Sequence, residues 1–550
     1  MKISDLFIQA VKKSGIDMCF GVVGGEAEAI HFSDKTDYPR FILTRHEFTA
    51  SVAADVWGRL TGRPAMCWTT FAPGLTNAAT GMCSAILDHS PVFFASVQIP
   101  RDQIKFNLTH QCIDNLAFAN SLTKGMAEIT TPLLLQTEIK RLVELCQEGL
   151  PGPVYVSLPL DVLKLDVPDE TADTILRNID ISYPQQRLLP KPATIQEIAS
   201  AISASHYPMV VVGNQVIRDN KIEEVMMLIE HLQVPAICSL AAKGIIPDKH
   251  TLFLGAVNKY LDGVYNETII EPMFDETDLL ILIGYDYGED LKPSLWGRNK
   301  HTVLINSVDV PMGTVFEPDL ACIGDFGVIT DYLLHATPSW KGLSPKHVAL
   351  KTIIDRRRIN NLPEGTTDVS LVLESLSHTL GEDGFLCSDV GLHKQYAGLL
   401  ARTCKPNHFL CSNVCGTFGF GLPAAMAAQL KFPDSRVALI CGDGGFHSGS
   451  QDLETIVRYN LPVVIVVLND SSFGLIHYYE TLSERGHCAN MTEFGSVDFA
   501  LLAKANGMES ECLKNENNLS LVLERAFEAR KPFLIEIPTI YSYEMRRHMA

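Results

Sequence analysis

The stretch Gly442-Asp443-Gly444-Gly445-Phe446 ends one apolar run of the chain, and Asn469-Asp470 ends the next one, Val463 to Leu468. The residues between them have the apolar spacing of a helix. This order of strand, helix and strand predicts a crossover between two neighbouring parallel strands. Because the carboxyl ends of parallel strands meet at one edge of a sheet, where ligands bind in such folds, we expect Asp443 and Asp470 to face one cavity.

Two carboxylates in this position are suited to a magnesium ion. Mg²⁺ prefers hard oxygen ligands and commonly shares them with a phosphate group. We predict metal ligands from the side chains of Asp443 and Asp470 and from the backbone carbonyl of Ser472, with a diphosphate and water completing the octahedron. Gly444 and Gly445 leave room for backbone N–H groups to approach phosphate oxygens. A Gly-Asp-Gly sequence alone is most often a turn, so its spacing from Asp470 is what favours a site.

The composition excludes several classes of function. The 550 residues are 46% hydrophobic and 20% charged, which is the balance of a globular protein. A formal charge of -19 with no basic block argues against nucleic-acid and anionic-membrane partners. The 14 cysteines form no CxxC pair, so neither a disulfide framework nor a structural zinc site is expected. Since the sequence has no signal-peptide pattern and no long apolar run, we expect a cytoplasmic protein.

Short apolar runs alternate with helical stretches along the chain, which is typical of α/β folds with doubly wound parallel sheets. At about 150 residues per domain, three such domains are expected. We predict them at residues 1–165, 190–337 and 362–550, with a linker from Pro168 to Pro192 and a hinge from Pro338 to Asn361. Predicted strands include Met18 to Val23, Val154 to Leu158, Met209 to Val212, Ala236 to Leu240, Leu279 to Ile283, Val303 to Ile305, Val437 to Cys441 and Phe533 to Ile537.

A second candidate group lies near the start of the chain. Thr44-Arg45-His46-Glu47 leads from a short strand into a helix, and Glu47 alone is more simply explained as a first-turn glutamate that the helix dipole favours. The segment Ala72-Pro73-Gly74-Leu75-Thr76-Asn77 then adds a loop with Gly and Pro ahead of a helix of small residues. Together the two segments make Glu47 a candidate for a functional role.

These segments resemble the thiamine-diphosphate enzymes of the acetolactate synthase and pyruvate oxidase family. The resemblance extends over nearly the whole chain and rests on motifs in the same order: Arg45-His46-Glu47, Ala72 to Asn77, Gly419-Phe420-Gly421-Leu422-Pro423-Ala424-Ala425, Gly442-Asp443-Gly444 and Asn469-Asp470. It implies a pyrimidine-binding first domain, a central domain, and a third domain that binds thiamine diphosphate through Mg²⁺. It also implies a homodimer or homotetramer with active sites between subunits.

The resemblance further implies which residues contact the cofactor. They are Glu47, Pro73, Asn77, Val390, Gly391, Gly416, Thr417, Phe418, Asp443, Gly444, Gly445, Asp470, Ser472, Phe473, Gly474 and Leu475. Glu47 is implied to share a proton with the aminopyrimidine ring, and Phe418 matches the bulky side chain that supports the bent cofactor. The second metal position is usually Asn in the family and is Asp470 here. Because two carboxylates beside a diphosphate concentrate negative charge, we expect strict metal dependence.

Several stretches resemble a narrower group, the N2-(2-carboxyethyl)arginine synthases, which join glyceraldehyde 3-phosphate to arginine. They include Thr109 to Asp114, Tyr260 to Gly263 and Gly284 to Trp296. This resemblance implies C–N bond formation through an acryloyl-cofactor with loss of phosphate. It makes His110 and Gln111 candidate catalytic residues that move protons during elimination. Substrate contacts are implied at His110, Gln111, Tyr260, Asp286, Lys394 and Tyr541.

Simpler roles remain open for the same residues. His110 with Gln111 can be a hydrogen-bonded pair that fixes a loop, Asp286 can cap a turn, and the tyrosines can belong to the core. Lys394 stands where the narrower group has Arg. An ammonium lacks the bidentate geometry with which a guanidinium binds phosphate, so the identity of the substrate stays open.

Three functions are therefore weighed. The first is a thiamine-diphosphate- and Mg²⁺-dependent transferase of the carboxyethylarginine type, which uses a sugar phosphate and an amino acid amine. The alternative is an acetolactate synthase-type enzyme that condenses or decarboxylates pyruvate, a 2-oxo acid. A non-catalytic relative fits least, because Glu47, Asp443 and Asp470 are all present. FAD is not expected, because residues 284–296 differ from the Arg- and Asp-rich pattern that acetolactate synthases show where flavin binds.

Overall fold

The computed structural model describes residues 1–104, 110–181, 188–257, 270–286, 289, 300–310, 317–356, 364–482, 486–514 and 516–541. The strands of this part of the chain form three six-stranded sheets, and the neighbouring strands in each are parallel. The predicted fold class, three parallel sheets with helices, is confirmed.

The first sheet has the strand order β2-β1-β3-β4-β6-β5. Its strands are β1 (Met18–Gly21), β2 (Arg40–Leu43), β3 (Ala65–Thr69), β4 (Val92–Gln98), β5 (Gly125–Glu128) and β6 (Val154–Pro159). Every residue of β3, β4 and β6 is buried, as expected of strands covered on both faces. The helices of this part are Ile3–Lys13, Glu47–Thr61, Ala72–Asn77, Ala79–Leu87, Arg101–Ile104, Asn115–Ala119, Pro132–Gln147, Leu160–Leu163 and Asp169–Asn178, with a 3₁₀ turn at Gly25–Glu28.

The second sheet has a different order, β12-β11-β10-β7-β8-β9. Its strands are β7 (Pro208–Val212), β8 (Ala236–Ser239), β9 (Phe253–Val257), β10 (Leu279–Ile283), β11 (His301–Asn306) and β12 (Leu320–Ile323). Because β7 and β10 are neighbours while their connections leave in opposite directions, the switch point of the sheet lies between them. The helices of this part are Pro192–Ala204, Gln215–Arg218, Ile222–Leu232, Glu271–Phe274, Phe326–Ala336 and Pro345–Arg356.

The third sheet repeats the strand order of the first, β14-β13-β15-β16-β18-β17. Its strands are β13 (Phe385–Ser388), β14 (Phe409–Cys411), β15 (Val437–Gly442), β16 (Val463–Asn469), β17 (Glu509–Cys512) and β18 (Phe533–Pro538). The helices are Val369–Leu380, Leu392–Leu400, Gly421–Lys431, Asp443–Gly449, Leu453–Arg458, Gly474–Leu482, Ala489–Thr492, Phe499–Ala505 and Leu519–Glu528, with 3₁₀ turns at Ser450–Asp452 and Glu516–Asn518.

The predicted strands are confirmed to within one or two residues at each end, and Leu279–Ile283 has the predicted bounds. Two predicted connections are wrong in part. The proposed linker contains the helix Asp169–Asn178, because Ala172, Ile175 and Ile179 are spaced to pack into the core of the first sheet. The proposed hinge contains the helix Pro345–Arg356, where the imidazole of His347 is 2.9 Å from the carbonyl of Met273.

The chain divides into two compact units. One comprises residues 1–185, 415–433 and 448–461. Within it, the helix Gly421–Lys431 packs on the helix Glu47–Thr61, which belongs to the first sheet's layer of helices. The other comprises residues 186–414, 434–447 and 462–550 and contains the second and third sheets. In the described part of the chain, no helix combines the length and apolar character that crossing a membrane requires.

Candidate functional site

Glu47 begins the helix Glu47–Thr61 in a buried position. His46 precedes it with an extended backbone, and its ring Nδ1 accepts a hydrogen bond from the N–H of Phe48 at 3.0 Å, which caps the helix. The Glu47 side chain is only 7% exposed. The helix N-terminus favours this carboxylate, because unpaired N–H groups carry a partial positive charge there.

The segment Ala72–Asn77 lies close to Glu47. The amide Nδ2 of Asn77 donates to Glu47 Oε2 at 3.1 Å. A Cβ added to Gly74 would lie 3.2 Å from Glu47 Oε1, so only glycine lets this loop pass so close. Pro73 occupies the first turn of the same short helix, Ala72–Asn77. The structure therefore brings Glu47, Asn77 and the Pro73-Gly74 turn together and leaves the glutamate oxygens aimed at a loop of small residues.

The Gly416-Thr417-Phe418 segment lies in the same compact unit as Glu47. Gly416 and Gly419 have φ angles of 63° and 76°, in the left-handed region that favours glycine. Thr417 is buried, whereas Phe418 is 41% exposed. A Cβ on Gly419 would lie 3.1 Å from the ring of Phe48, so this turn reaches the first turn of the helix that carries Glu47.

Asp443 and Asp470 follow the neighbouring parallel strands β15 and β16, as predicted. Gly442 and Leu468 are register partners at the ends of these strands. Asp443 is 2% exposed, and its Oδ1 accepts the N–H of Gly444 at 2.8 Å. Burial and the neighbouring charge of Asp470 raise the pKa of Asp443 to about 7. Because the charge of Asp470 acts on Asp443 in this way, the two carboxylates favour either a proton or a cation between them.

The donor set fits Mg²⁺. Asp443 Oδ2 is a buried carboxylate oxygen with no hydrogen-bond partner among the described residues. The hydroxyl of Ser472 donates to Asp470 Oδ2 at 2.7 Å, which orients the second carboxylate. Among the same residues, no cluster of three or more His, Cys, Asp or Glu side chains could hold a metal. The protein thus offers two carboxylates, beside the backbone carbonyl predicted at Ser472, and leaves the other ligands to come from elsewhere, as is usual for Mg²⁺ bound with a phosphate.

The glycines of this segment are held close to their neighbours. A Cβ on Gly444 would lie 2.8 Å from the Phe473 ring, and one on Gly445 would lie 3.0 Å from the Asp389 carboxyl group. One on Gly474 would lie 3.0 Å from Asp470 Oδ2. These contacts explain why the sequence has glycine at each position, since any side chain would displace the groups around the two carboxylates.

The segment that follows β13 contacts the Gly444-Gly445 turn through Asp389. The N–H of Val390 bonds to Asp389 Oδ1 at 2.6 Å, and Gly391 has a φ of 155° with the His393 ring where a Cβ would be. His393 is 2% exposed, and its Nε2 is 3.0 Å from the Asp389 carbonyl. Burial lowers the pKa of His393 to about 4.

The remaining predicted cofactor contacts also follow β16. Phe473 is 38% exposed and packs edge-to-face on Phe494, with ring centroids 5.1 Å apart. Leu475 is half-buried in the helix Gly474–Leu482. Tyr541, a predicted substrate contact, is 8% exposed, and its ring lies 3.5 Å from a Cβ position at Gly474. Tyr541 therefore belongs to the same neighbourhood as Asp470.

The other predicted substrate residues are placed differently. Lys394 is 2% exposed, and its ammonium donates to the Ser412 carbonyl at 2.5 Å. His110 is exposed and Gln111 half-buried with a φ of 61°, and no described contact joins them to Glu47. Tyr260 lies outside the described residues.

Asp286 lies in the loop that follows β10 of the second sheet, where the Arg218 guanidinium pairs with it at 3.1 Å. Glu289 beside it accepts from the backbone N–H of Asn214 at 2.7 Å and from the hydroxyl of Ser239. Burial and the charge of Asp286 raise the pKa of Glu289 to about 8. These side chains compensate one another at the switch point of the second sheet, so Asp286 already has a cationic partner within the protein.

Three polar residues of these neighbourhoods were missed from the sequence: Asp389 and His393 beneath the glycine turn, and Asp452 near Glu47. Asp452 is fully buried, and its Oδ1 accepts the N–H of Arg45 at 2.8 Å. The partner of each is distant in the chain or hidden under a turn. Only Asp389 gave a signal, as an acid that closely follows an apolar run, and a single sequence does not separate such an acid from a solvated residue.

Comparison with known proteins defines the class. Three family models match in order: the thiamine pyrophosphate enzyme N-terminal TPP binding domain over residues 1–118, the central domain over 195–333, and the C-terminal TPP binding domain over 389–537. Together they cover most of the chain. The protein belongs to the thiamine pyrophosphate enzymes and is a thiamine-diphosphate-dependent enzyme of the acetolactate synthase family.

Its relatives include a probable acetolactate synthase large subunit of Methanocaldococcus jannaschii, 28% identical over 98% of this chain and 92% of the relative. The acetolactate synthase of Bacillus subtilis is 25% identical over 98% of this chain and 93% of its own length. That of Arthrospira platensis is 26% identical over 96% and 93%. These names agree better with the pyruvate alternative than with the expected N2-(2-carboxyethyl)arginine synthase.

Proposed function

We propose that this enzyme binds thiamine diphosphate with Mg²⁺ at the carboxyl edge of the third sheet and acts on a 2-oxo acid such as pyruvate. The observation that carries the cofactor assignment is the buried, unpartnered Oδ2 of Asp443 beside the carboxylate of Asp470. The names of the relatives support the substrate class.

The residues around these carboxylates have separate roles in the proposal. Asp443 and Asp470 hold the metal ion, and Ser472 orients the second of them through its hydroxyl. Gly444 and Gly445 keep the space beside the carboxylates free of side chains, so that a diphosphate can approach the backbone. Since two carboxylates and a diphosphate repel one another, the metal is required for binding rather than an accessory to it.

Glu47 is proposed to exchange a proton with the cofactor's aminopyrimidine ring. Asn77 holds Glu47 Oε2, which leaves Oε1 to carry the proton. When bound, thiamine diphosphate would supply a thiazolium carbon able to act as a nucleophile toward a carbonyl and a ring able to store an electron pair. The low exposure of Glu47 keeps water from competing for that proton.

A second candidate function is the carboxyethylarginine-type transfer to an amino acid. The buried ammonium of Lys394, which has no ion pair among the described residues, favours an anionic substrate group. Such a group is either the phosphate of a sugar phosphate or the carboxylate of a 2-oxo acid. The pairing of Asp286 with Arg218 gives less support to guanidinium recognition by Asp286.

The first experiment separates the two substrates. Purified protein with thiamine diphosphate and Mg²⁺ is incubated with pyruvate alone, or with glyceraldehyde 3-phosphate and a panel of amino acids. Release of CO₂ and formation of acetolactate from pyruvate support the main proposal. Release of inorganic phosphate with an amino acid adduct of matching mass moves the assignment to the second candidate.

The second experiment tests the metal site by calorimetry. Asp443→Ala should weaken Mg²⁺-dependent binding of thiamine diphosphate by ~100-fold, because a direct metal ligand is lost. The matched control is Asp434→Ala, whose side chain is 95% exposed, and it should bind normally. Full binding by Asp443→Ala, or no binding by the unaltered protein with Mg²⁺ present, would refute the assigned site.

The third experiment tests the glutamate. Glu47→Gln should bind the cofactor within about threefold of normal but lose at least ~100-fold in turnover, as expected for a proton-transfer group. Glu28→Gln, an exposed change in the same compact unit, serves as its control. Retained turnover would contradict the role. The homodimer or homotetramer and the lack of FAD remain predictions, which light scattering and an absorption spectrum of the purified protein measure.

A further inference from the structure

Three side chains of one short segment hold the backbone that leads to Glu47. Asp452 Oδ1 accepts the N–H of Arg45 at 2.8 Å. The Arg458 guanidinium donates to the carbonyl of Leu43 at 2.8 Å, and the Tyr459 hydroxyl accepts the N–H of Leu43 at 3.1 Å. All of these residues belong to the same compact unit. The end of β2 is thus bonded to the 452–459 segment rather than left to solvent.

Asp452 is the one member of this set that is fully buried. The hydroxyl of Thr455 donates to its Oδ1 at 2.8 Å. The hydroxyl of Thr49 lies beside the same carboxylate and, together with the Arg45 N–H, opposes the rise in the pKa of Asp452 that burial causes. Within normal hydrogen-bond limits, neither this hydroxyl nor Asp452 Oδ2 has a partner among the described residues. The two hydrogen bonds to Oδ1 fix the orientation of the carboxylate, because a rotation would take this acceptor away from the Arg45 N–H and the Thr455 hydroxyl.

The contacts of Asp452 lie on both sides of Glu47 in the chain. Arg45 is two residues before the glutamate, and Thr49 is two residues after it. The turn between them is fixed internally, since the Thr44 hydroxyl donates to the His46 carbonyl at 3.1 Å and His46 caps the helix. A shift of Asp452 would therefore move the start of the helix as one piece, and Glu47 with it.

We infer that Asp452 is a positioning residue for Glu47: it sets the direction in which the glutamate enters its helix, without itself meeting the cofactor. Because the inference concerns the aim of Glu47, it rests on the proposed function. Displacing a proton-transfer group by about 1 Å is enough to cost a large factor in rate, so the effect belongs to the proton step and not to cofactor affinity.

The test compares Asp452→Ala with Asp452→Asn. Asparagine keeps an oxygen that accepts the Arg45 N–H, whereas alanine removes it. In cofactor-free protein, amide hydrogen exchange of a peptide spanning residues 43–48 should be about tenfold faster in the alanine variant and within about threefold of normal in the asparagine variant. If Asp452→Ala does not fold, Asp452→Ser replaces it, because serine is too short to reach Arg45.

A second measurement is made on the bound cofactor. Exchange of the hydrogen on the reactive thiazolium carbon of bound thiamine diphosphate should fall about tenfold or more in Asp452→Ala, with the Kd of the cofactor changed less than about threefold, and should recover in Asp452→Asn. Asp325→Ala removes a helix-capping aspartate of the second sheet, and this control should lose stability but keep the exchange rate.

The outcomes separate this inference from the proposed function. The proposed function fails if the unaltered protein does not accelerate hydrogen exchange at the thiazolium carbon. It also fails if the Glu47→Gln variant accelerates that exchange as much as the unaltered protein. If Glu47→Gln loses the exchange while Asp452→Ala keeps both the exchange rate and the protection of residues 43–48, only the role of Asp452 is overturned. A loss of cofactor affinity in step with the exchange rate would also overturn it, since that result indicates a structural role.

Discussion

Lowering the pH from 7 to 5 should loosen the third sheet through one buried side chain, His393. Burial lowers its pKa to about 4, against 6.5 for an unperturbed imidazole, with the charge of Lys394 acting in the same direction. The unfolded chain therefore binds a proton on this residue before the folded chain does. The stability that depends on neutral His393 is present above pH 6.5 and is lost as the pH falls toward 4.

The magnitude follows from the two pKa values. At 1.36 kcal/mol per pH unit, the contribution changes by about 1.8 kcal/mol between pH 7 and pH 5, which is about a 20-fold change in the opening equilibrium. Carboxylates of the protein also titrate between pH 7 and pH 5, and their effect must be separated from that of His393. The comparison variant is therefore His393→Gln, which has the same neighbours and a side chain that cannot ionise.

Native-state hydrogen exchange measures the effect locally, on peptides from β13 and β15. At pH 7 the two proteins should differ only through the lost packing of the imidazole. At pH 5 the protection of the unaltered protein relative to His393→Gln should be about 20-fold lower than at pH 7. Intrinsic exchange rates cancel in this ratio. A ratio that does not change with pH would show that His393 does not titrate below its ordinary range.

Gly444→Ala should lower the unfolding temperature by the equivalent of about 1–3 kcal/mol, because the added Cβ meets the Phe473 ring at 2.8 Å. Gly495→Ala, with nothing within 4 Å of its Cβ, should change it little, and equal shifts in a thermal melt would contradict the steric reason. Arg59→Ala should cost about 3–5 kcal/mol, because it leaves two buried aspartates without their cation, and a loss below 1 kcal/mol in denaturant unfolding would count against this. Asn77→Asp should reduce turnover at least ~10-fold by placing a second carboxylate 3.1 Å from the glutamate, whereas unchanged kinetics would mean that the amide contact is dispensable.

Much of the third sheet was predictable from the sequence because its strands are local apolar runs. Val463–Asn469 is a continuous buried strand, and its end could be read from the Asn469-Asp470 pair. Parallel pairing of β15 with β16 then followed from the length of the crossover between them. The meeting of Asp443 and Asp470 thus needed only strand ends and sheet topology.

The contacts around Glu47 could be predicted only in part. Only the helix Glu47–Thr61, β3 and the short helix Ala72–Asn77 span the chain from Glu47 to Asn77, so a motif resemblance was enough to associate the two residues. Asp452 bonds to Arg45 across 407 residues of sequence, and no periodicity of one chain encodes such a pairing. The helix Asp169–Asn178 was missed for a different reason. Its few apolar residues alternate with charged and polar ones and follow Pro168, so the segment has the composition of a linker.

The strand order shared by the first and third sheets extends to where their proposed cofactor-binding segments lie. In the first sheet, Glu47 follows β2 and the Ala72–Asn77 segment follows β3. In the third sheet, Gly416 to Phe418 follow β14 and Asp443 to Gly445 follow β15, which are the equivalent second and third strands. The same two loop positions of one sheet topology therefore carry different chemistry: in one sheet they hold the acid proposed to exchange a proton, and in the other they hold the two carboxylates proposed to bind a cation.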